Sequence, residues 1–133
     1  MIRVFPDVPP EELLARYHVI QPSVSGGASG KECFDCGYRQ TRALLQQDAG
    51  IQGIIYLSDY FAFGGVKYLH EQGVGIGVDV ALAGYNNTSA LQCFPFPIST
   101  ADHDIPRICK NIVDNLESEE PCLIRLEPVV VLR

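Results

Sequence analysis

An α/β domain with a parallel sheet flanked by helices is the fold class this sequence predicts, on three observations. Two short runs, Ile51 to Leu57 and Val80 to Tyr85, are apolar without polar alternation, the pattern of parallel strands covered on both faces. Between them Tyr60 to Gln72 reads as a helix, and strand, helix, strand in that order implies a right-handed parallel crossover. Downstream, Ile105, Ile108, Cys109, Ile112, Val113 and Leu116 recur at i, i+3, i+4, i+7, i+8 and i+11, the apolar stripe of an amphipathic helix.

The elements follow in order. Met1 to Pro10 holds three of the nine prolines and reads as an irregular lead-in, because proline can neither donate to a ladder nor continue a helix. Glu11 to Arg16 suits a short helix and His18 to Ile20 a brief strand stopped by Gln21-Pro22. Ser23 to Lys31 is rich in Ser and Gly and reads as a loop. Tyr38, Thr41, Leu44 and Leu45 then give helical spacing over Cys36 to Gln47, stopped by Asp48-Ala49-Gly50. The helix after Leu57 can be capped by Ser58 or Asp59, with Gly73 as its left-handed terminus. Its apolar residues are too widespread for one face, so it packs on the sheet and on something else. Asp104 is placed to cap the amphipathic helix, with Pro106 tolerated in its first turn. Leu123 to Leu126 and Val129 to Leu132 close the chain as strands interrupted by Pro128.

A length of 133 residues at 47% hydrophobic composition suits one globular domain with a buried core. No stretch of about 18 apolar residues occurs, and no basic patch precedes an apolar run, which predicts a cytoplasmic protein without a membrane span. A formal charge of −6 leaves no basic stripe for phosphates, so this segment is not expected to bind DNA itself. Five cysteines, an odd number, fit reduced thiols better than a disulfide framework.

In an open parallel sheet, ligands bind beyond the carboxyl ends of the strands. Three polar clusters meet that rule: Ser58 and Asp59, then Tyr85, Asn86 and Asn87, then Asp102, His103 and Asp104. Such short side chains can donate to and accept from hydroxyls. The bland reading of Asp59 and Asp104 is helix capping, and of Asn86-Asn87 a turn. The pair Cys33 and Cys36 just before a helix could be a redox pair or two metal ligands, but no second close pair completes a four-ligand site. Gly73-Val74-Gly75-Ile76-Gly77 lacks phosphate-loop spacing and reads as a helix-to-strand turn. His103 and Asp104 have no nucleophile elbow to serve, so neither catalysis nor a cofactor is expected.

The ordered motifs Cys36-Gly37-Tyr38-Arg39, Leu57-Ser58-Asp59-Tyr60-Phe61-Ala62-Phe63-Gly64, Gly84-Tyr85-Asn86-Asn87 and Phe96-Pro97-Ile98-Ser99-Thr100 resemble the effector-binding core of LacI/GalR transcriptional regulators. Those proteins carry a Ser-Gly-Tyr helix start, a strand ending Asn-Asp before Met-Ala-x-Gly, a strand ending Gly-Tyr/Phe-Asp-Asp/Asn, and a Pro-Pro-Leu-Thr-Thr segment. The resemblance runs from about His18 to the carboxy-terminus and implies the type I fold of periplasmic binding proteins, two α/β lobes with an effector between them. On that reading residues 1–103 form the second, carboxy-terminal lobe. Residues 104–121 form a helix crossing to a first lobe that is missing here, and 122–133 return as terminal strand.

The resemblance further implies effector contacts at Ser58, Asn86 and His103, where the family places Asn, Asp and the polar residue after Thr-Thr. Asn86 in place of aspartate removes a charge-assisted acceptor, which either weakens a sugar at that point roughly tenfold or serves a ligand that offers an acceptor. The family's dimer surface falls on Tyr60, Phe63, Leu91 and Phe94, although filling the chain's own core is an open alternative for these four. The implied function is small-molecule sensing, for a sugar-like or nucleoside-like effector, and homodimerisation in a regulator that meets DNA only through a headpiece absent from this chain. A periplasmic-type sugar-binding fragment and a ligand-free dimerisation domain are the alternatives.

Overall fold

In the computed structural model, residues 27–118 and 123–133 are described. The expected lead-in, the helix at Glu11 to Arg16, the strand at His18 to Ile20 and Cys122 lie outside them. Helix α1 spans Gly30–Gln47, followed by strand β1, Gly53–Ile55, and helix α2, Asp59–Glu71. Strand β2, Ala81–Tyr85, leads through a 3-10 helix, Ser89–Cys93, into strand β3, Ile98–Asp102. Helix α3, Ile105–Asp114, and strand β4, Val129–Val131, complete the order. The fold class is α/β, as the two apolar runs predict.

The four strands lie side by side in the order β1-β2-β3-β4. The first three are parallel, with Ile55 opposite Ala83 and Ala83 opposite Ser99, whereas β4 runs antiparallel to β3, with Val131 opposite Thr100. The expected parallel sheet is thus formed by β1, β2 and β3, and β4 adds an antiparallel edge because the chain returns from α3 against the direction of β3. The expectation of a strand at Leu123 to Leu126 is corrected, since the segment forms none and Leu123 is exposed. It runs instead beside α3, where Ile124 and Leu126 line a shallow groove with Ile108 and Ile112.

Helix α1 starts six residues before the expected Cys36. Ser29 and Glu32 form a reciprocal capping box, with Glu32 N–H donating to Ser29 Oγ at 3.3 Å and Ser29 N–H to Glu32 Oε2 at 2.7 Å. Two of the free first-turn donors are thereby satisfied inside a stretch whose Gly and Ser content suggests a loop. Cys33 and Cys36 consequently sit within the helix rather than ahead of it, and Cys36 is fully buried.

The partner that α2 requires besides the sheet is α1. Phe61, Ala62, Phe63, Val66, Tyr68 and Leu69 of α2 are all buried, with Cys36 and Leu44 of α1 and Ile54, Leu82 and Ile98 of the strands in the same core. The two helix backbones approach closely enough to exclude a methyl group on either side. A Cβ on Gly37 would lie 2.0 Å from the Phe61 carbonyl oxygen, and one on Gly64 would lie 1.9 Å from that of Phe34. Beneath them Thr41 donates to the Gly37 carbonyl at 2.7 Å and so receives the Tyr56 hydroxyl at 2.8 Å. Burial pushes the Tyr56 hydroxyl pKa up to about 12.

The strands are covered on one face only by the described residues. Ile54 and Tyr56 point into the core, but Ile55 and Leu57 are 81% and 68% exposed, overturning the expectation that this run is covered on both sides. The sequence carries apolar side chains for both faces, whereas α1 and α2 supply a single layer. Likewise α3 starts where Asp104 caps it, accepting from Arg107 N–H at 3.2 Å, but buries none of its residues. Ile105, Ile112, Val113 and Leu116 stay 57–70% exposed.

Gly64→Ala is expected to lower stability by about 3 kcal/mol, because backbone rather than a flexible side chain opposes the added methyl. Chemical denaturation should show Gly53→Ala, whose Cβ meets nothing closer than 3.8 Å, within about 0.5 kcal/mol of wild type.

Candidate functional site

The carboxyl ends of β1, β2 and β3 form one edge, and the chain places a different polar cluster after each. Ser58 stands at the N-cap of α2 with extended backbone, half-buried, and its hydroxyl makes no capping hydrogen bond. Asp59 does not cap the helix either. Its carboxylate, with 0% exposure, accepts the Thr88 N–H at 2.7 Å on Oδ2 and the Thr100 hydroxyl at 2.8 Å on Oδ1. The expectation that Ser58 or Asp59 accepts from the first turn is thus corrected. The carboxylate is drawn across the sheet edge by buried donors that would otherwise lack a partner.

Asn86 and Asn87 adopt positive φ values of 100° and 48°, the region Asn tolerates better than most side chains. The Asn86 N–H donates to the Ala101 carbonyl at 2.9 Å, while its side chain is exposed with no hydrogen bond among the described residues. Asn87 turns inward. Its N–H donates to Thr100 Oγ1 at 3.2 Å, its Nδ2 to Asp102 Oδ2 at 2.8 Å, and its Oδ1 accepts from Arg133 Nη2 at 3.0 Å. Asp102 Oδ1 accepts the Asp104 N–H at 2.8 Å. The Asn87 amide, then the Asp104 N–H, hold the Asp102 carboxyl below the usual carboxylate range.

His103, half-buried, meets the Tyr85 ring edge to face, with centroids 4.4 Å apart and planes at 90°. The edge therefore presents a hydroxyl at Ser58, an amide at Asn86 and an imidazole at His103. The three carboxylates of these clusters have partners of their own, Asp59 and Asp102 as above and Asp104 in the cap of α3. Such a set suits a neutral, hydrogen-bonding ligand with an apolar flank against the aromatic pair. Among the described residues no group of three His, Cys, Asp or Glu is arranged to hold a metal ion. Cys33 and Cys36 lie on α1.

The four residues expected at a dimer surface are split by the fold. Phe63 and Leu91 are buried in the core, whereas Tyr60 is 42% exposed and Phe94 half-buried. Phe63 nevertheless connects the other two aromatic rings, edge-on to Tyr60 at 5.8 Å and stacked on Phe94 at 4.4 Å. Sequence reasoning marked Asn87 and Asp102 only as members of polar clusters and did not single out Thr88 or Arg133. Their roles depend on pairing across strands far apart in sequence.

A family model for the periplasmic binding protein-like domain matches residues 13–120. The lactose operon repressor of Escherichia coli (strain K12) is 26% identical over 80 residues, which cover 60% of this chain and 22% of that protein. The chain thus spans about a fifth of that relative's length. A LacI-family transcriptional regulator from Silicibacter pomeroyi is 30% identical, with a TM-score of 0.58 over 81% of this chain and 33% of that one. A LacI-family regulator from Enterococcus faecium with bound ribose is 26% identical, with a TM-score of 0.60 over 73% and 38%. The lac repressor dimer bound to operator and the anti-inducer ONPF is 26% identical, with a TM-score of 0.57 over 62% and 29%.

Because the folded pKa of Asp102 lies below its unfolded value, its contribution to stability is complete above about pH 4 and is lost as pH falls through the folded pKa. In a carboxyl-detected NMR titration, Asn87→Ala should raise the Asp102 midpoint toward the ordinary value. An unchanged midpoint would show that Asn87 does not hold the carboxylate.

Proposed function

For a chain that belongs to the periplasmic binding protein-like domain family of LacI-type transcriptional regulators, we propose the role of a small-molecule sensing and dimerisation module. The effector is a neutral sugar-like or nucleoside-like molecule that contacts Ser58, Asn86 and His103. The observation carrying this reading is that the three residues follow three adjacent parallel strands at one sheet edge, while Asp59 and Asp102 are engaged elsewhere. The ribose bound to the Enterococcus faecium regulator supports a polyhydroxylated ligand. The module is a binding protein rather than an enzyme and works in the cytoplasm. Among the described residues no helix is long and apolar enough to cross a membrane.

Residues 1–103 act as one lobe, 104–121 as a helix that docks on another lobe, and 122–133 as the returning strand. The unburied stripe of α3 supports that division. Closure of two lobes on the effector shifts the protein between states with different affinity for operator DNA. DNA is contacted by a headpiece outside these 133 residues, consistent with the net charge of −6. Dimerisation uses the exposed Tyr60 and the half-buried Phe94, whose rings both meet the buried Phe63, with Leu91 in the core. The dimeric state of the related lac repressor supports it.

Calorimetric titration with ribose, other sugars and nucleosides tests the site. Asn86→Ala and His103→Ala should each weaken the responding ligand about fivefold, the loss of one neutral hydrogen bond of about 1 kcal/mol. Unchanged affinity in both variants would remove these residues from the site. Separately, Tyr60→Glu should convert a dimer to monomers in analytical ultracentrifugation without unfolding the chain, because Tyr60 lies outside the buried core. A wild-type chain that is monomeric at high micromolar concentration would overturn the dimer reading.

A further inference from the structure

Arg133 belongs to none of the motifs that mark the ligand edge, yet its side chain reaches it. Two residues beyond Val131, it falls on the face of β4 that Val131 shares with its register partner Thr100. Its N–H donates to Ser99 Oγ at 3.3 Å, its Nη1 to the Ile98 carbonyl at 3.4 Å and its Nη2 to Asn87 Oδ1 at 3.0 Å. Arg133 thus joins β3 to the turn that follows β2.

Asn87 is held on both sides of its amide, by Arg133 on the oxygen and by Asp102 on the nitrogen, and at its backbone by Thr100. Two successive residues with positive φ and a Cβ are costly for a chain to maintain, and persist only where the surroundings over-determine them. Asn86 has one backbone hydrogen bond of its own, to Ala101, and an exposed side chain. Its orientation therefore depends on its neighbour being clamped.

We propose that Arg133 is a positioning residue of the ligand edge: by holding the Asn87 side chain from β4, it fixes the left-handed turn that presents Asn86. The assignment rests on reading this edge as an effector site. It also gives the strand that returns after α3 a direct connection to that site. Displacing β4 relative to β3 would release Asn87 and with it the presentation of Asn86.

The test uses the full 133-residue chain as wild type, Arg133→Gln and Arg133→Lys, observed by amide NMR and titrated with ribose. Lysine keeps a single donor able to reach Asn87 Oδ1, so it reports whether that bond, rather than the bulk of the side chain, matters. Arg133→Gln should move the Asn87 side-chain and Asn86 backbone resonances and weaken ribose at least fivefold. Arg133→Lys should recover much of both, with β4 amide exchange equal in the two variants. Resonances of Asn86 and Asn87 that stay in place in Arg133→Gln, while only β4 amides exchange faster, would overturn the proposal and leave Arg133 as an edge tie. A wild-type chain with no saturable response to ribose would count against the effector reading instead. The Asn86 and Asn87 resonances would still decide the assignment of Arg133.

Discussion

The carboxylate of Asp59 is the constraint on which the polar edge at the carboxyl ends of β1, β2 and β3 is built. A fully buried ionisable group is tolerated only with hydrogen-bonding partners in place, because desolvation of an unpaired charge costs several kcal/mol. Here the partners come from the 3-10 segment entry, through Thr88 N–H, and from β3, through the Thr100 hydroxyl. The start of α2 is thereby tied to the ends of β2 and β3 across 29 and 41 residues of sequence. The tie also dictates Gly84, since a Cβ there would lie 2.3 Å from Asp59 Oδ1. From Thr100 the network continues through Asn87 to Asp102 and Arg133, and through the Asp104 N–H to the cap of α3. One chain of hydrogen bonds therefore orders every loop along this edge.

That network determines the chemistry the edge can offer. Acidic residues are plentiful near the strand ends, and on composition alone a charged site would be a fair reading. Pairing turns Asp59 and Asp102 inward, leaving a hydroxyl, an amide and an imidazole beside an aromatic ring. The same division runs through the apolar residues. Phe63 and Leu91 fill the core, and Tyr60 and Phe94 carry what surface remains. On the opposite face of the sheet and along α3, large apolar side chains stay uncovered.

Much of the scaffold was legible because it depends on short-range pattern. The apolar runs located β1 and β2, the spacing from Ile105 located α3, and Gly73 with φ of 71° ends α2 as its position implies. The start of α1 was missed although Ser29-Gly30-Lys31-Glu32 carries a capping-box signature, because the surrounding Ser and Gly content weighed toward a loop. Leu123 to Leu126 has strand composition but runs beside α3, where it shares a groove with Ile108 and Ile112. Coverage of both faces could not be read correctly from apolar runs, which record what each side chain prefers and not which elements are present to bury it.

The sequence by itself determined the α/β class, the polar clusters that follow the parallel strands, and the family to which their motifs belong. Local periodicity, capping and turn chemistry act over a few residues and are visible in the order of the amino acids. Only the tertiary structure decided that β4 runs antiparallel, that Gly37 and Gly64 let two helix backbones meet, and that Asp59, Asn87 and Arg133 share one network. Those outcomes depend on distances between residues remote in sequence. Steric exclusion and the need to pair buried polar groups select among arrangements that local pattern leaves equal.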